Sequence, residues 1–142
     1  MVRLGCDFIF VLMGVHMKEF IAYRGSKFTI EWYYGATGKS QAFEYFQKLD
    51  ADDQDSTINL FVLMAEIGEI KNKTKFRNEG NGVYAFKSKG HRFLSFFFIG
   101  KKIIISNAFE KKQDKLPTSE KNKSLKCKAD YEERVKQGTY YD

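Results

Sequence analysis

Cysteine and histidine are scarce in this chain of 142 residues, which has two of each: Cys6, Cys127, His16 and His91. They do not form a cluster with the close spacing that ligates a structural metal, and two cysteines so far apart do not make a disulfide framework. The expectation is a protein of the reducing cytoplasm, with no metal and no cofactor. Long apolar runs are also missing. Phe8 to Met13 is apolar, but a membrane-spanning helix needs about 20 such residues, so no membrane partner is expected. No small-residue cleavage site follows that run in the manner of a signal peptide. Met17 opens a strand-like segment, so residues 1–16 are expected to be a dispensable N-terminal extension, upstream of a second candidate start at Met17. A single domain is expected over 17–142. Gly38-Lys39-Ser40 resembles the end of a phosphate loop, yet that motif needs a glycine five residues before Gly38, where Tyr33 stands. No internal repeat or long linker occurs.

What is present is enough for one core: 43% of residues are hydrophobic and 16% aromatic. The net charge of +6 conceals an asymmetry. Residues 1–70 carry six Lys/Arg against ten Asp/Glu, whereas residues 71–128 carry sixteen against four, a net of +12. The last fourteen residues return to −2. A basic block of this density attracts polyanions. Its charges alternate with aromatics and strand formers, which distinguishes it from a solvated lysine tail.

Periodicity changes along the chain. Lys18 to Tyr34 reads as two short strands joined at Arg24-Gly25-Ser26, and Gly35 to Gly38 as a turn. From Ser40, a candidate N-cap, Ala42, Tyr45, Phe46 and Leu49 recur at helical spacing. A second helix is predicted to start in the acidic cluster Asp50, Asp52, Asp53 and Asp55, whose carboxylates suit the positive end of the helix dipole, and to stop at Gly68. Strands follow near 75–77, 83–88, 92–99 and 102–109, separated by the breaks Gly80-Asn81-Gly82, Lys89-Gly90 and Gly100-Lys101, each short enough for a hairpin. The single proline, Pro117, opens a last amphipathic helix ending at Gly138. The pattern predicts an α+β fold.

Among chemically suggestive residues, Glu66 and Glu69 are expected to face solvent, and Cys127 to be a half-buried thiol. The basic meander carries more. Lys87 shares a strand face with the small residues Val83 and Ala85, a short hairpin brings Arg92 near it, and Lys111 and Lys112 follow the last strand directly. Four cations converging at adjacent strand ends form a candidate phosphate site. Such a site needs no metal to cleave RNA, which carries its own nucleophile in the 2′-hydroxyl. Cleavage needs a base, cations for the developing phosphorane charge, and an acid for the leaving 5′-oxygen. A lysine crowded by other cations can act as the base, and an arginine clamps phosphate oxygens. Tyr84 or Phe109 would stack on a nucleobase.

The runs Gly82-Val83-Tyr84-Ala85-Phe86-Lys87, His91-Arg92-Phe93-Leu94-Ser95-Phe96-Phe97-Phe98 and Ala108-Phe109-Glu110-Lys111-Lys112-Gln113-Asp114-Lys115-Leu116-Pro117 resemble the phage-derived branch of the RelE/HigB toxin superfamily. Its members show a Gly-Leu-Tyr-Glu-Leu-Arg-like strand, a Tyr-Arg-Val-Phe-Tyr-like strand and a Phe-x-Lys-Lys-x-x-Lys-x-Pro segment. The similarity covers residues 18–136 in element order and is specific in the last sixty of them. It implies a RelE-like toxin fold, with two helices from the N-terminal half packed on a twisted antiparallel sheet and a C-terminal helix added.

The resemblance also implies the toxin of a type II toxin–antitoxin module, a metal-independent, ribosome-dependent mRNA endonuclease. Its partners would be mRNA on the ribosome and a cognate antitoxin. Lys87, Arg92, Lys111 and Lys112 are the expected catalytic residues. Lys73, Lys75, Arg77, Lys89, His91, Phe109 and Lys115 are expected to bind RNA. Lys87 stands where the family more often has arginine, which weakens bidentate clamping but supplies a candidate base. The alternative is a catalytically inactive RNA- or ribosome-binding protein, or an antitoxin-binding protein, of the same fold.

Overall fold

The computed structural model describes residues 18–142. The extension expected over residues 1–16 and the second start at Met17 lie outside the described residues. Within them the chain runs β1 (Ile21–Arg24), β2 (Thr29–Trp32), α1 (Gln41–Gln47), α2 (Ala51–Ile67), β3 (Phe76–Gly80), β4 (Val83–Ser88), β5 (His91–Phe98), β6 (Lys102–Glu110) and α3 (Thr118–Gln137). The helices begin and end where local chemistry dictates. Ser40 Oγ accepts from the Phe43 N–H at the start of α1, and Asp50 Oδ1 accepts from the Asp53 N–H at the start of α2. Gly68 and Gly138 close α2 and α3 at φ 92° and 76°, a conformation that costs glycine little.

The strands form one sheet in the order β1-β2-β6-β5-β4-β3. β3 to β6 make the expected antiparallel meander. The sheet is not antiparallel throughout, however: β2 runs parallel to β6, with Ile30 opposite Ile103 and Trp32 opposite Ile105. A parallel neighbour requires a long crossover, and everything from α1 through β5 lies between these two strands. Residue periodicity within a strand carries no record of which distant strand it will meet.

The sheet buries both faces. On one, α1 and α2 cover Ile30, Trp32, Phe86, Phe93, Ile103, Ile105 and Ala108. Trp32 sits at its centre with Phe43, Phe46, Phe61 and Phe93 at ring-centroid distances of 5.3–6.3 Å. Each fully buried phenylalanine there stabilises the fold by about 1.5–3 kcal/mol over its exposed state. On the other face, α3 covers Val83, Ala85, Leu94, Phe96 and Ile104. The C-terminal end of α3 is tied to the residues after β2. Tyr33 Oη donates to Asp130, Arg134 donates to the Tyr34 carbonyl, and the Tyr34 N–H donates to Tyr140 Oη.

The hairpin between β1 and β2 packs directly on the end of α2. The N–H groups of Lys27 and Phe28 donate to the Ala65 carbonyl at 2.7 and 3.0 Å, which satisfies a helix-terminal acceptor. Glu66 takes part in this contact instead of facing solvent as expected: its carboxylate accepts from Tyr23 Oη at 2.7 Å and from the Ser26 N–H. Gly25 lies at the closest approach, where an added Cβ would meet the Ala65 oxygen at 2.5 Å. Gly25→Ala should therefore force the hairpin away from α2 and destabilise the protein by about 1–3 kcal/mol. Urea unfolding monitored at Trp32 would measure it, and an unchanged midpoint would contradict the packing described.

Candidate nucleic-acid interface

Strand register decides which cations meet. Lys87 is directly opposite Arg92 across β4 and β5, and Arg92 is opposite Phe109 across β5 and β6. All three face α3, the same side as Val83, Ala85 and Leu94. The ladder extends one step further where the Lys111 N–H donates to the Gly90 carbonyl at 2.7 Å.

Lys111 reaches this face because of a bulge in β6. Leu94 pairs with Asn107 but Ser95 pairs with Ile105, leaving Ser106 as the extra residue. Ser106 and Asn107 both point toward α3: Ser106 Oγ lies 2.7 Å from Ser124 Oγ, and Asn107 Nδ2 donates to Glu120. The extra residue switches the alternation, so that Ala108 packs with α1 and α2 while Phe109 packs toward α3. Gln41 then holds the strand in place, with its amide donating to the Ala108 carbonyl and accepting from the Ala108 N–H, both at 2.8 Å. This side chain covers a stretch of β6 edge that β2 is too short to pair.

The loop after β6 folds back over the cluster. Gln113, Asp114, Lys115, Leu116 and Pro117 close one side of a shallow cleft whose floor is Ala85, Lys87, Arg92 and Phe109, and whose far wall is Glu79. Burial and the nearby Arg92, then Arg77 and Lys111, lower the Lys87 pKa, while Glu79 opposes them. Arg92 Nη1 donates to the carbonyls of Lys89 and His91 at 3.1 and 3.0 Å. Among the described residues no acceptor meets its Nε–Nη2 edge, the edge that grips a phosphate in bidentate fashion. Lys111 Nζ is 2.7 Å from Asp114 Oδ1. The arrangement is a partly desolvated set of cations beside an aromatic ring, suited to holding a phosphodiester.

Of the residues singled out from the sequence, Lys87, Arg92, Lys111, Phe109 and Lys115 come together here, with Arg77 on the neighbouring strand opposite Ala85. Lys112 does not join them. Its side chain is 80% exposed and its Nζ lies 3.4 Å from Glu110. Lys73 and Lys75 are exposed before β3, and Lys75 borders a different depression against α2. His91 and Lys89 also belong to the α2 side. His91 Nε2 is 2.8 Å from Asp53 Oδ2, its Nδ1 is 2.7 Å from Tyr45 Oη, and Lys89 Nζ is 3.0 Å from Asp53 Oδ1. This network pins α1, α2 and the β4–β5 turn to one another. Glu79, Gln113, Asp114 and Gln41 were not anticipated. Only Glu79 and Asp114 carried a signal, as two of the four acidic residues in the basic block. Cys127 is half-buried as expected, and burial pushes its thiol pKa up to about 11, which makes it a poor nucleophile.

Hydrogen bonds from His91 and Lys89 hold the Asp53 carboxyl below the usual carboxylate range. A folded-state pKa depressed in this way contributes stability above the ordinary carboxylate pKa, and that stability is lost as pH falls through the lowered value. Asp53→Asn should be less stable than the parent at neutral pH, with the gap closing on acidification below about pH 4. Urea midpoints collected across that range would test this; a gap that stays constant would count against the network.

No curated protein matches this chain. The family model described as phage-derived protein Gp49-like (DUF891) matches residues 44–128, a span from α1 through the first half of α3 that contains every residue of the cleft. That match covers more than half of the sequence, and the chain belongs to the phage-derived Gp49-like family.

Proposed function

We propose that this protein is the toxin of a type II toxin–antitoxin module and acts as a metal-independent, ribosome-dependent mRNA endonuclease with a RelE-like fold. The observation that carries the reading is the convergence of Lys87, Arg92 and Lys111 beside Phe109 in one cleft. Membership of a family associated with such toxins supports it. The open edge of Arg92 and the ammonium of Lys111 would hold the non-bridging oxygens of the scissile phosphate, and their charge would stabilise the phosphorane as it forms. Phe109 offers a surface for the adjoining base. Lys87, lowered in pKa by its surroundings, is suited to proton transfer within the same reaction. Arg77 on β3 and Lys115 in the loop after β6 extend the positive surface around the cleft, where they would follow the RNA backbone.

A cognate antitoxin would neutralise the same cations. Asp114 already rests against Lys111, and an acidic side chain from a partner segment would complete the neutralisation at Lys87 and Arg92. This contact also favours a second reading, in which the cleft receives only an acidic partner or binds RNA without turnover.

Expression of the protein should arrest growth and generate new transcript ends. Arg92→Ala or Lys111→Ala should reduce cleavage by about 10²-fold or more, whereas Lys112→Ala, on the exposed side, should cut within about threefold of the parent. Mapping of RNA ends after induction reads both effects. A parent that binds RNA in a salt-sensitive manner but creates no new ends would establish the second reading instead.

A further inference from the structure

A cluster made only of cations supplies a phosphate clamp and a proton donor, but it accepts a proton only where one of its lysines has already lost its own. Arginine does not give up its proton, and a neutral Lys87 would leave the phosphate one cation short. Four acidic residues lie in the basic block, and three of them are engaged. Asp114 is 96% exposed and paired with Lys111, Glu110 is paired with Lys112, and Glu120 is bonded to Asn107 and Lys123. The fourth is Glu79. It walls the cleft opposite the loop and faces Lys87 and Arg92. No hydrogen bond or ion pair holds its carboxylate among the described residues.

Its position is built by the backbone. Asn78 pairs with Tyr84 and Gly80 with Val83, so Glu79 is the extra residue of a bulge in edge strand β3. The Gly80 N–H donates to Asn78 Oδ1 at 2.9 Å across this bulge, and Gly80 itself adopts φ 91°. Bulges at sheet edges re-aim side chains and recur beside active sites. Here the bulged residue stays on the α3 face with Ala85 and Lys87. Glu79 is half-buried, unlike the exposed Arg77 and Asn78 that precede it.

We propose that Glu79 is the general base of this site, taking the proton of the RNA 2′-hydroxyl while Lys87 protonates the leaving oxygen. The inference rests on the endonuclease reading given above. As the 2′-oxygen attacks phosphorus, its proton passes to the Glu79 carboxylate. The bond from phosphorus to the 5′-oxygen breaks, and the Lys87 ammonium gives its proton to that oxygen. The products are a 2′,3′-cyclic phosphate and a 5′-hydroxyl end. Glu79 is left protonated and Lys87 neutral, and exchange with solvent restores both. Burial and neighbouring cations weaken the hold of Lys87 on its proton, which favours the donating role.

A carboxylate that merely offsets the surrounding positive charge would behave differently on removal. Glu79→Gln keeps the shape and deletes one negative charge from a polyanion site. The test uses the full-length protein, a defined mRNA on ribosomes in a reconstituted translation reaction, and the same RNA with a 2′-deoxy nucleotide at the cut as the binding probe. Glu79→Gln should cleave about 10²–10⁴-fold more slowly, bind the 2′-deoxy probe as tightly as the parent or tighter, and lose the acidic limb of the rate–pH profile. Glu79→Asp should recover part of the rate.

If Glu79→Gln cleaves within about threefold of the parent, Glu79 is not the base and the endonuclease reading stands. A rate that falls only in proportion to weakened binding or thermal stability would assign Glu79 a structural role and likewise overturn the proposal. A parent that does not cleave at all would remove this proposal together with the endonuclease reading.

Discussion

Strand β6 crosses the middle of the sheet and has to serve two cores at once. Its first half alternates strictly, with Ile103 and Ile105 toward α1 and α2 and Ile104 toward α3. Had this alternation continued, Ala108 would point at α3 and Phe109 at the aromatic core around Trp32. The bulge at Ser106 prevents that by spending one residue out of phase. Because a one-residue slip sends every later side chain to the opposite face, the bulge determines the surroundings of everything from Ala108 to Lys111. Its polar atoms are buried, so they must be paired. Ser124 and Glu120 of α3 supply those partners. The docking of the last helix and the assembly of the cation cluster are therefore parts of one arrangement.

The two faces of the sheet have different work. The face under α1 and α2 is closely packed and aromatic, and its polar contacts are structural pins. The His91–Asp53–Tyr45 network, with Lys89 attached, joins two helices to a turn. The Gly25 hairpin closes on the end of α2. The face under α3 is covered over only part of its area. Toward the ends of β4, β5 and β6 the cover is the loop from Lys111 to Pro117, and there the cations are only partly desolvated. Partial burial matters to the chemistry: it strengthens the interaction of Lys87 and Arg92 with an anion while leaving them accessible to one.

Much of the fold was legible because it depends on local rules. The caps at Ser40 and Asp50, the stops at Gly68 and Gly138 and the turns of the meander occur where side-chain chemistry and glycine conformation require them. The pairing of Lys87 with Arg92 was also readable, since a two-residue turn leaves little freedom of register. The choice between Lys111 and Lys112 was not. It depends on a bulge stabilised by Ser124 and Glu120, residues contributed by a helix that comes later in the chain. His91 and Lys89, expected among the RNA-binding residues, lie on the α2 side of the sheet, where alternation and the pull of Asp53 place them.

The amino-acid sequence by itself determined the helices, the meander and the concentration of positive charge in residues 71–128, because propensity, capping and turn chemistry act over a few residues. Tertiary structure alone decided that β2 would lie parallel to β6, that Glu66 would anchor a hairpin, and that Lys111 instead of Lys112 would stand beside Arg92 and Lys87. It also decided that Glu79 would face them. These outcomes follow from long-range pairing and, for Lys111, from the bulge in β6, whose effect is to choose the face on which a side chain emerges, and that choice exists only once the neighbouring strand is in place.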